Sequence, residues 1–176
     1  MTNVLIVIGS ARKGRVADAV NELVQAELTQ RVNIQTQIAD LKELNIPFFD
    51  GELLPSQDGY EITEPAAKQW QELVTSADKI IFITSENNHS MSAIQKNAID
   101  WLYTEWDKKV VSATGYGWSG GSLAIENFDR VMGNLKADVR TPTKLAFMKE
   151  LNPDGSVLDQ TTTSEQISAQ VDSLLA

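Results

Sequence analysis

The first residues suited to chemistry form a polar loop near the N-terminus. An apolar run from Val4 to Ile8 ends at Gly9-Ser10-Ala11-Arg12-Lys13-Gly14-Arg15, after which apolar residues recur at helical spacing. A helix N-terminus behind small residues presents unpaired backbone N–H groups and a positive dipole end, which together can bind phosphate. Ser10, Arg12 and Arg15 add side-chain donors. The loop therefore predicts a phosphate site, and the simpler alternative is a surface turn with solvated basic residues.

The spacing of this loop narrows the kind of phosphate site. It matches neither Gly-x-x-x-x-Gly-Lys-Ser/Thr nor Gly-x-Gly-x-x-Gly. An ATPase cradle and an ordinary dinucleotide fingerprint are therefore poorly supported. A phosphomonoester site of another kind is the prediction that remains.

Two further polar loops follow strand-like runs, at Ser85 to Ser90 and at Gly115 to Gly121. In an open parallel sheet, ligands bind outside the carboxyl ends of the strands, so we expect the three loops to meet at one edge. Asn and Ser side chains and free backbone amides can bond the edge of a flat heteroaromatic ring, and glycines let the backbone approach it closely. A phosphate on the first loop and a ring over the other two describe a mononucleotide such as FMN.

The elements that must position these loops are visible as alternating patterns. Helical periodicity separates most of the apolar strand-like runs, which is typical of an α/β protein with a parallel sheet. The length of 176 residues suits one domain. The predicted strands are Val4 to Ile8, Ile34 to Ile38, Ile80 to Thr84, Val110 to Thr114 and Leu145 to Phe147.

Composition excludes several classes of function. Fifteen Lys and Arg residues against 24 Asp and Glu residues give a net charge of −9, which opposes binding to nucleic acids and to anionic membranes. Cysteine is absent and His89 is the only histidine, so no metal site is expected. No apolar stretch approaches the ~20 residues of a membrane span, and no signal-peptide pattern precedes the first strand. These features predict a cytoplasmic protein.

Two segments raise questions of packing. The segment Asn45 to Glu64 is rich in turn residues and predicts a long loop, which is either a lid, a partner contact or a passive excursion. A helix is predicted from Ser92 to Trp106 with a second apolar stripe at Ile99, Tyr103 and Trp106. Exposed aromatic rings are typical of protein interfaces, so this stripe predicts a homodimer. The alternative is that the long loop or the C-terminal segment covers the rings within one chain.

The chain resembles the NADPH-dependent FMN reductase family over most of its first 150 residues. Gly9 to Arg15 is similar to Gly-Ser-x-Arg-x-Gly-Arg, the phosphate loop of one branch of that family. Ser85-Glu86-Asn87-Asn88-His89-Ser90 resembles Pro-Glu-Tyr-Asn-x-Ser, and Gln95-Lys96-Asn97-Ala98-Ile99-Asp100-Trp101 resembles Leu-Lys-Asn-Ala-Ile-Asp-Trp. The third loop is similar to the family's Gly-rich loop against the flavin.

The resemblance implies a flavodoxin-like three-layer sandwich with a five-stranded parallel sheet in the order 2-1-3-4-5, within a single domain spanning residues 1–176. It implies an oxidoreductase with FMN as cofactor, NADPH or NADH as co-substrate and a small-molecule electron acceptor such as a quinone, an azo compound or free flavin. It also implies a homodimer or homotetramer. The residues it implies for FMN binding are Ser10, Arg12, Arg15, Val16 and Ala17, then Ser85, Glu86, Asn87, Asn88 and His89, then Gly115, Tyr116, Gly117, Gly120 and Gly121.

The chain departs from the family pattern beside the expected ring. Ser85 and Asn87 stand where the family usually has Pro and Tyr, and Ser92-Ala93 stand where Pro-Gly is common. An aromatic ring beside the flavin contributes roughly 0.5–1.5 kcal/mol of stacking beyond its buried area, so its absence predicts FMN binding weaker by up to about tenfold. Trp118 is a candidate to supply the missing ring from the third loop.

Because bound flavin carries the redox chemistry, no catalytic side chain is required, although His89 is a candidate proton donor. Two other functions are alternatives. A flavodoxin-like binding module or electron carrier would bind flavin weakly or without turnover. A serine hydrolase is a remote alternative, because Gly117-Trp118-Ser119-Gly120-Gly121 matches Gly-x-Ser-x-Gly, but the only histidine precedes Ser119 in the chain.

Overall fold

Strands and helices alternate along the chain, and the computed structural model describes every residue from Met1 to Ala176. The strands are β1 (Thr2–Ile8), β2 (Ile34–Asp40), β3 (Lys79–Ser85), β4 (Val110–Gly117), β5 (Asp138–Val139) and β6 (Thr143–Ala146). The helices are α1 (Ala17–Thr29), α2 (Leu41–Leu44), α3 (Pro65–Ser76), α4 (Ala93–Asp100), α5 (Ser122–Asn134) and α6 (Gln160–Leu175), with a 3-10 turn at Thr104–Trp106. None of these helices combines the length and the hydropathy that crossing a membrane requires.

All the strands pair in parallel in the order β2-β1-β3-β4-β5, and β6 also pairs with β4. Since β3 occupies one edge of β4, β5 and β6 share the other edge as two pieces of one interrupted strand. Pro142, which has no N–H to donate, lies in the interruption. The predicted order 2-1-3-4-5 is confirmed, and the predicted strand at Leu145 to Phe147 corresponds to β6.

Two apolar layers enclose the sheet and make the predicted three-layer sandwich. On one face, Ile6 and Ile81 pack with residues of α1 and α6. On the other face, Leu5, Ile80 and Phe82 pack with residues of α3, α4 and α5. The central strands β1 and β3 are buried on both faces, which is why they read as continuous apolar runs rather than as alternating ones.

Helix α4 is shorter than the sequence predicted. It begins after Ser92, whose Oγ accepts a hydrogen bond from the Gln95 amide at 3.2 Å, and it ends at Asp100 rather than at Trp106. Beyond that end the chain folds back, and the Trp106 Nε1 donates to the Ile99 carbonyl at 3.1 Å. The helical spacing of apolar residues extends past the end of α4 because Trp106, although outside the helix, is buried in the same core.

The aromatic rings near α4 are covered within the chain, so the surface on which the homodimer was predicted is not exposed. Trp106 is fully buried and packs against Trp70 and Phe82, and Trp101 is also buried. Only Tyr103 keeps a substantial exposed fraction, 40%. Trp106 is thus covered within one chain, by Trp70 of α3 and Phe82 of β3.

The long loop supplies part of that cover. Asn97 of α4 donates to the Pro47 carbonyl at 2.9 Å and accepts from the Phe49 amide at 3.0 Å. The Trp101 Nε1 also donates to the Pro47 carbonyl, at 2.8 Å, and the Phe49 ring meets the Trp101 ring edge-on. Tyr60 closes the loop by donating to the Trp101 carbonyl at 3.0 Å. Residues 45–64 are therefore pinned to α4 at several points.

We predict that Asn97→Ala lowers the free energy of unfolding by about 1–3 kcal/mol, because it leaves the part-buried Phe49 amide and Ile46 carbonyl of the loop without their Asn97 partner. Lys96→Ala on the same helix is the matched control. It removes only an exposed pair with Asp100, which contributes about 0.5 kcal/mol or less. Urea unfolding of both variants tests this, and equal losses would contradict the fastening role of Asn97.

Candidate functional site

The three polar loops meet at one pocket of about 410 Å³ at the carboxyl ends of β1, β3 and β4. Nine of the residues implied for FMN binding line it. They are Ser10, Arg12, Arg15, Val16, Ser85, Glu86, Asn87, Tyr116 and Gly117. The other six, which do not line the pocket, are Ala17, Asn88, His89, Gly115, Gly120 and Gly121.

The first loop offers a row of unused donors. No backbone amide from Ser10 through Ala19 donates a hydrogen bond within the chain. Val16 stands at the N-cap of α1 and provides no side-chain cap, so the first amides of this 13-residue helix are unpaired beside the pocket. Arg12 lines the pocket and takes part in no ion pair. These groups have the charge and the donor geometry that a phosphate requires.

Arg15 is turned inward instead. Its Nε donates to Asp18 at 2.8 Å, one Nη donates to the Ser10 carbonyl at 2.6 Å and to Asp40 at 2.8 Å, and the other Nη donates to the second oxygen of Asp40. The hydrogen bond to Asp40 raises the pKa of Arg15 against the opposing effect of burial. Burial raises the pKa of Asp40, but hydrogen bonds from Arg15 and the Lys42 amide outweigh it and leave that pKa lowered.

Tyr116 lines the pocket where the three loops meet. It is 6% exposed at the end of β4, near the Ser10 hydroxyl of the first loop and the Ser85 hydroxyl of the second. Burial raises the pKa of its phenol, and hydrogen bonding with those two hydroxyls partly offsets the rise. Tyr116 is therefore a neutral polar group at neutral pH, suited to holding the loops in register.

The second loop ends in a tight turn that carries His89 away from the pocket lining. Asn87 and Ser90 exchange two backbone hydrogen bonds, and Asn88 and His89 between them both have positive φ. This is the geometry of a two-residue hairpin turn. The His89 side chain is 79% exposed and lies 3.6 Å from Glu86. Asn87 remains at the pocket, where its Oδ1 accepts from Ser85 at 2.8 Å.

Glu86 stands between the two residues that a serine hydrolase would need. Its Oε2 accepts from the Ser119 hydroxyl at 2.8 Å and from the Leu123 amide at 3.2 Å, while its Oε1 is the atom nearest His89. A nucleophilic serine needs a general base, usually a histidine, to accept its proton. Here the Ser119 hydroxyl donates instead to the Glu86 carboxylate, which also caps α5. The geometry does not support the hydrolase alternative.

The glycines of the third loop serve mainly in packing. A Cβ at Gly121, where φ is 72°, would lie 2.8 Å from the Tyr116 amide, and a Cβ at Gly115 would lie 2.6 Å from Ile125. These positions let α5 start directly against β4. Of the third-loop glycines, Gly117 borders the pocket, whereas Gly115, Gly120 and Gly121 do not line it.

Four pocket residues were absent from the predicted set: Gly14, Trp118, Phe147 and Pro153. Trp118 was recognised only as a candidate ring. It is 75% exposed and meets the Phe147 ring edge-on at 5.6 Å between centroids. Phe147 is the last residue of the predicted fifth strand. A position at the carboxyl end of a parallel strand is the sequence feature that predicts a place at this pocket.

A family model described as NADPH-dependent FMN reductase matches residues 2–150 of this sequence. The chain belongs to that family. The resemblance deduced from the loop motifs is confirmed, and with it the class of NAD(P)H-dependent flavin and quinone reductase and the family cofactors FMN and NAD(P)H.

Individual relatives agree with the family. The chain is 31% identical over 143 residues to an NAD(P)H-dependent FMN reductase of Saccharomyces cerevisiae, covering 76% of this chain and 75% of the relative. It is 27% identical over 171 residues to a quinone reductase of Escherichia coli, covering 90% and 86%. The solved structure of FerB, a flavoenzyme NAD(P)H:(acceptor) oxidoreductase of Paracoccus denitrificans, superposes with a TM-score of 0.75 at 20% identity over 99% of this chain and 98% of that one. This superposition confirms the fold.

The site residues of this FMN reductase family member yield a prediction about pH. Because the pKa of Asp40 is lowered in the folded protein, its pairing with Arg15 stabilises the fold above the unfolded pKa of about 3.9 and is lost as the pH falls through the folded value. Asp40→Asn should therefore be less stable than wild type at pH 7, and the difference should shrink below about pH 4.

Denaturant unfolding across this pH range provides the measurement. Asp18→Asn is the control, since Asp18 meets the same guanidinium but its side chain is 59% exposed, so its removal should change stability little. A wild-type advantage over Asp40→Asn that stays constant from pH 7 to pH 3 would contradict the assignment.

Proposed function

We propose that this pocket binds FMN with its phosphate against the first loop and the start of α1. The observation that carries the proposal is the row of backbone amides from Ser10 through Ala19, none of which has an acceptor within the chain. Backbone N–H groups are obligatory hydrogen-bond donors. A row of N–H groups without acceptors beside a pocket therefore requires water or an anion as partner. Arg12 adds a guanidinium without an ion-pair partner to the same wall.

Residues of the second and third loops would hold the flavin ring. The Asn87 carboxamide keeps its NH2 donors free, because only its Oδ1 is engaged by Ser85. The amides of Trp118 and Ser119 also donate no hydrogen bond within the chain. Trp118 of the third loop and Phe147, which follows β6, supply an aromatic wall to the pocket. The second loop has Asn87 in place of the family's tyrosine.

Bound FMN would accept two electrons from NAD(P)H and deliver them to a second substrate. The chain's own residues fix the phosphate and the ring edge, and free amides of the third loop favour negative charge on the ring edge that they meet. His89 is not needed as a proton donor, since it lies outside the pocket lining. The acceptor is a small molecule, of the quinone, azo or free flavin type that the names of similar proteins indicate.

A binding module or electron carrier is the alternative that Asn87 favours, since that position lacks the stacking ring. Turnover of NAD(P)H separates the two, because a carrier need not receive a nicotinamide over the ring. A homodimer or homotetramer and a cytoplasmic location stay predictions. Gel filtration and cell fractionation would test them.

We predict that the purified protein binds one FMN per chain and then oxidises NAD(P)H with a quinone. Arg12→Met should weaken FMN binding roughly ten- to hundredfold, since a hydrogen bond to a charged group contributes about 1.5–3 kcal/mol. Riboflavin, which lacks the phosphate, should bind both proteins equally. Flavin fluorescence titration measures each affinity.

Lys13→Met is the matched control for Arg12→Met. It removes one positive charge from the adjacent residue, which is exposed and does not line the pocket. Equal losses of FMN affinity in both variants would show a diffuse charge effect. No binding by wild type at high micromolar FMN would contradict the proposed function.

Trp118→Ala tests the aromatic wall. Its loss should weaken both FMN and riboflavin binding about two- to tenfold, because stacking contributes roughly 0.5–1.5 kcal/mol beyond buried area. Met148→Ala is the control, since Met148 is a similarly exposed apolar residue beside Phe147 that does not border the pocket. If Trp118→Ala left both affinities unchanged, Trp118 would not be part of the ring site.

A further inference from the structure

We infer that Arg15 is a positioning residue: through Asp40 it holds the phosphate loop in its binding shape and does not itself bind the phosphate. The inference rests on the proposed FMN site and deepens it. It divides the two arginines of the loop into a ligand, Arg12, and a clamp, Arg15. The loop sequence alone gave both the same role.

The hydrogen bonds of Arg15 are already committed within the chain. A guanidinium has five N–H donors, and four of those of Arg15 go to Asp18, the Ser10 carbonyl and the two oxygens of Asp40. The contact with Asp40 is bidentate, which is the most directional pairing that arginine makes. One N–H is left for any ligand. Arg12 on the same loop takes part in no ion pair.

The partners of Arg15 explain what the clamp holds. Asp40 is the last residue of β2 and also the N-cap of α2, so it belongs to the rigid sheet. Ser10 is the first side chain of the phosphate loop and is 2% exposed. Arg15 bridges the two, and its own side chain is only 9% exposed. The loop is therefore attached at both ends: its N-terminal end continues from β1, and Arg15 at its C-terminal end is bonded to Asp40 at the end of β2.

Charge alone predicts the opposite result from positioning. Asp40 and Asp18 are two negative charges around one positive charge, and removing either should favour a bound phosphate dianion. If Arg15 were a phosphate ligand, Asp40→Asn would also free its guanidinium. Both effects would strengthen FMN binding. A clamp requires the reverse, because the loop loses the support that shapes it.

The test is a comparison of FMN and riboflavin affinities in wild type, Asp40→Asn and Asp18→Asn. Asparagine is as good an N-cap as aspartate, so the α2 cap is kept while the bidentate pair is lost. We expect Asp40→Asn to weaken FMN binding at least fivefold with riboflavin affinity unchanged, and Asp18→Asn to change FMN affinity less than twofold. Arg15→Lys, which keeps the charge and loses the fork, should behave like Asp40→Asn.

Several outcomes would overturn the inference. Tighter or unchanged FMN binding in Asp40→Asn would show that Arg15 is a phosphate ligand or has no part in binding. A parallel loss of FMN and riboflavin binding would show general structural damage. If wild type and Asp40→Asn bound FMN equally well, the proposed function would stand and only the clamp would be refuted.

A second measurement needs no flavin and so stands even if the proposed function fails. Trypsin cleaves after Arg and Lys, and the exposed Arg12 and Lys13 are internal references beside the clamped Arg15. In ligand-free wild type, cleavage between Arg15 and Val16 should be slow relative to cleavage at Arg12 and Lys13. Asp40→Asn should raise that ratio at least tenfold, and Asp18→Asn should not. An unchanged ratio in Asp40→Asn would refute the clamp.

Discussion

The site depends on one constraint, that buried backbone N–H groups must find acceptors. Elsewhere in the chain this need is met by side chains at helix starts: Asp40 caps α2, Ser92 caps α4 and Asp159 caps α6. Helix α5 borrows the Glu86 carboxylate from the second loop. Only α1 starts both without a cap and beside the pocket. Helix α3 also starts without a side-chain cap, but its residues do not line the pocket, so among the helix starts it is α1 that presents unpaired amides there.

The motif that identified the family most specifically has a structural role in this chain. Lys96 to Trp101 covers the C-terminal part of α4 and the C-cap residue that follows it, outside the pocket lining. Asn97 and Trp101 fasten the long loop, the Ala98 carbonyl accepts from Trp70 at 2.7 Å, and the Ile99 carbonyl accepts from Trp106. These residues fix the second loop indirectly, by holding the helix that follows it. A string of residues can therefore be diagnostic of a cofactor-binding family without lining the candidate pocket.

The sequence predicted the sheet well because β1, β3 and β4 are buried on both faces and read as uninterrupted apolar runs. The same logic placed the three loops together, since parallel strands end at one edge. It did not find β5, which is two residues long, or the end of α4, beyond which Trp106 keeps the helical period while the chain reverses. The periodicity of apolar residues indicates which residues are buried, and Trp106 is buried although the helix has already ended.

Within the site, residue type predicted location better than orientation. Arg12 and Arg15 are three positions apart on one loop, yet Asp40 at the end of β2 captures the second and not the first. His89 belongs to the right loop but stands at the tip of a tight turn, as its positive φ requires. Phe147 enters from a strand whose loop carried no polar motif. Such choices depend on contacts between distant segments, which a single sequence does not display.

The two ends of the pocket differ in a way that suits successive substrates. The first-loop end has the buried Ser10, the Arg15 side chain bonded to the Ser10 carbonyl and the uncapped start of α1. The ring end has the exposed Trp118 and the short hairpin of Asn87 to Ser90. A cofactor held mainly by its tail keeps one face of its ring open to solvent, where a nicotinamide and then an acceptor can each approach. Under the proposed binding mode, binding energy concentrated at the phosphate would not compete with that access, so a site with Asn87 in place of the family's stacking ring could still hold the cofactor.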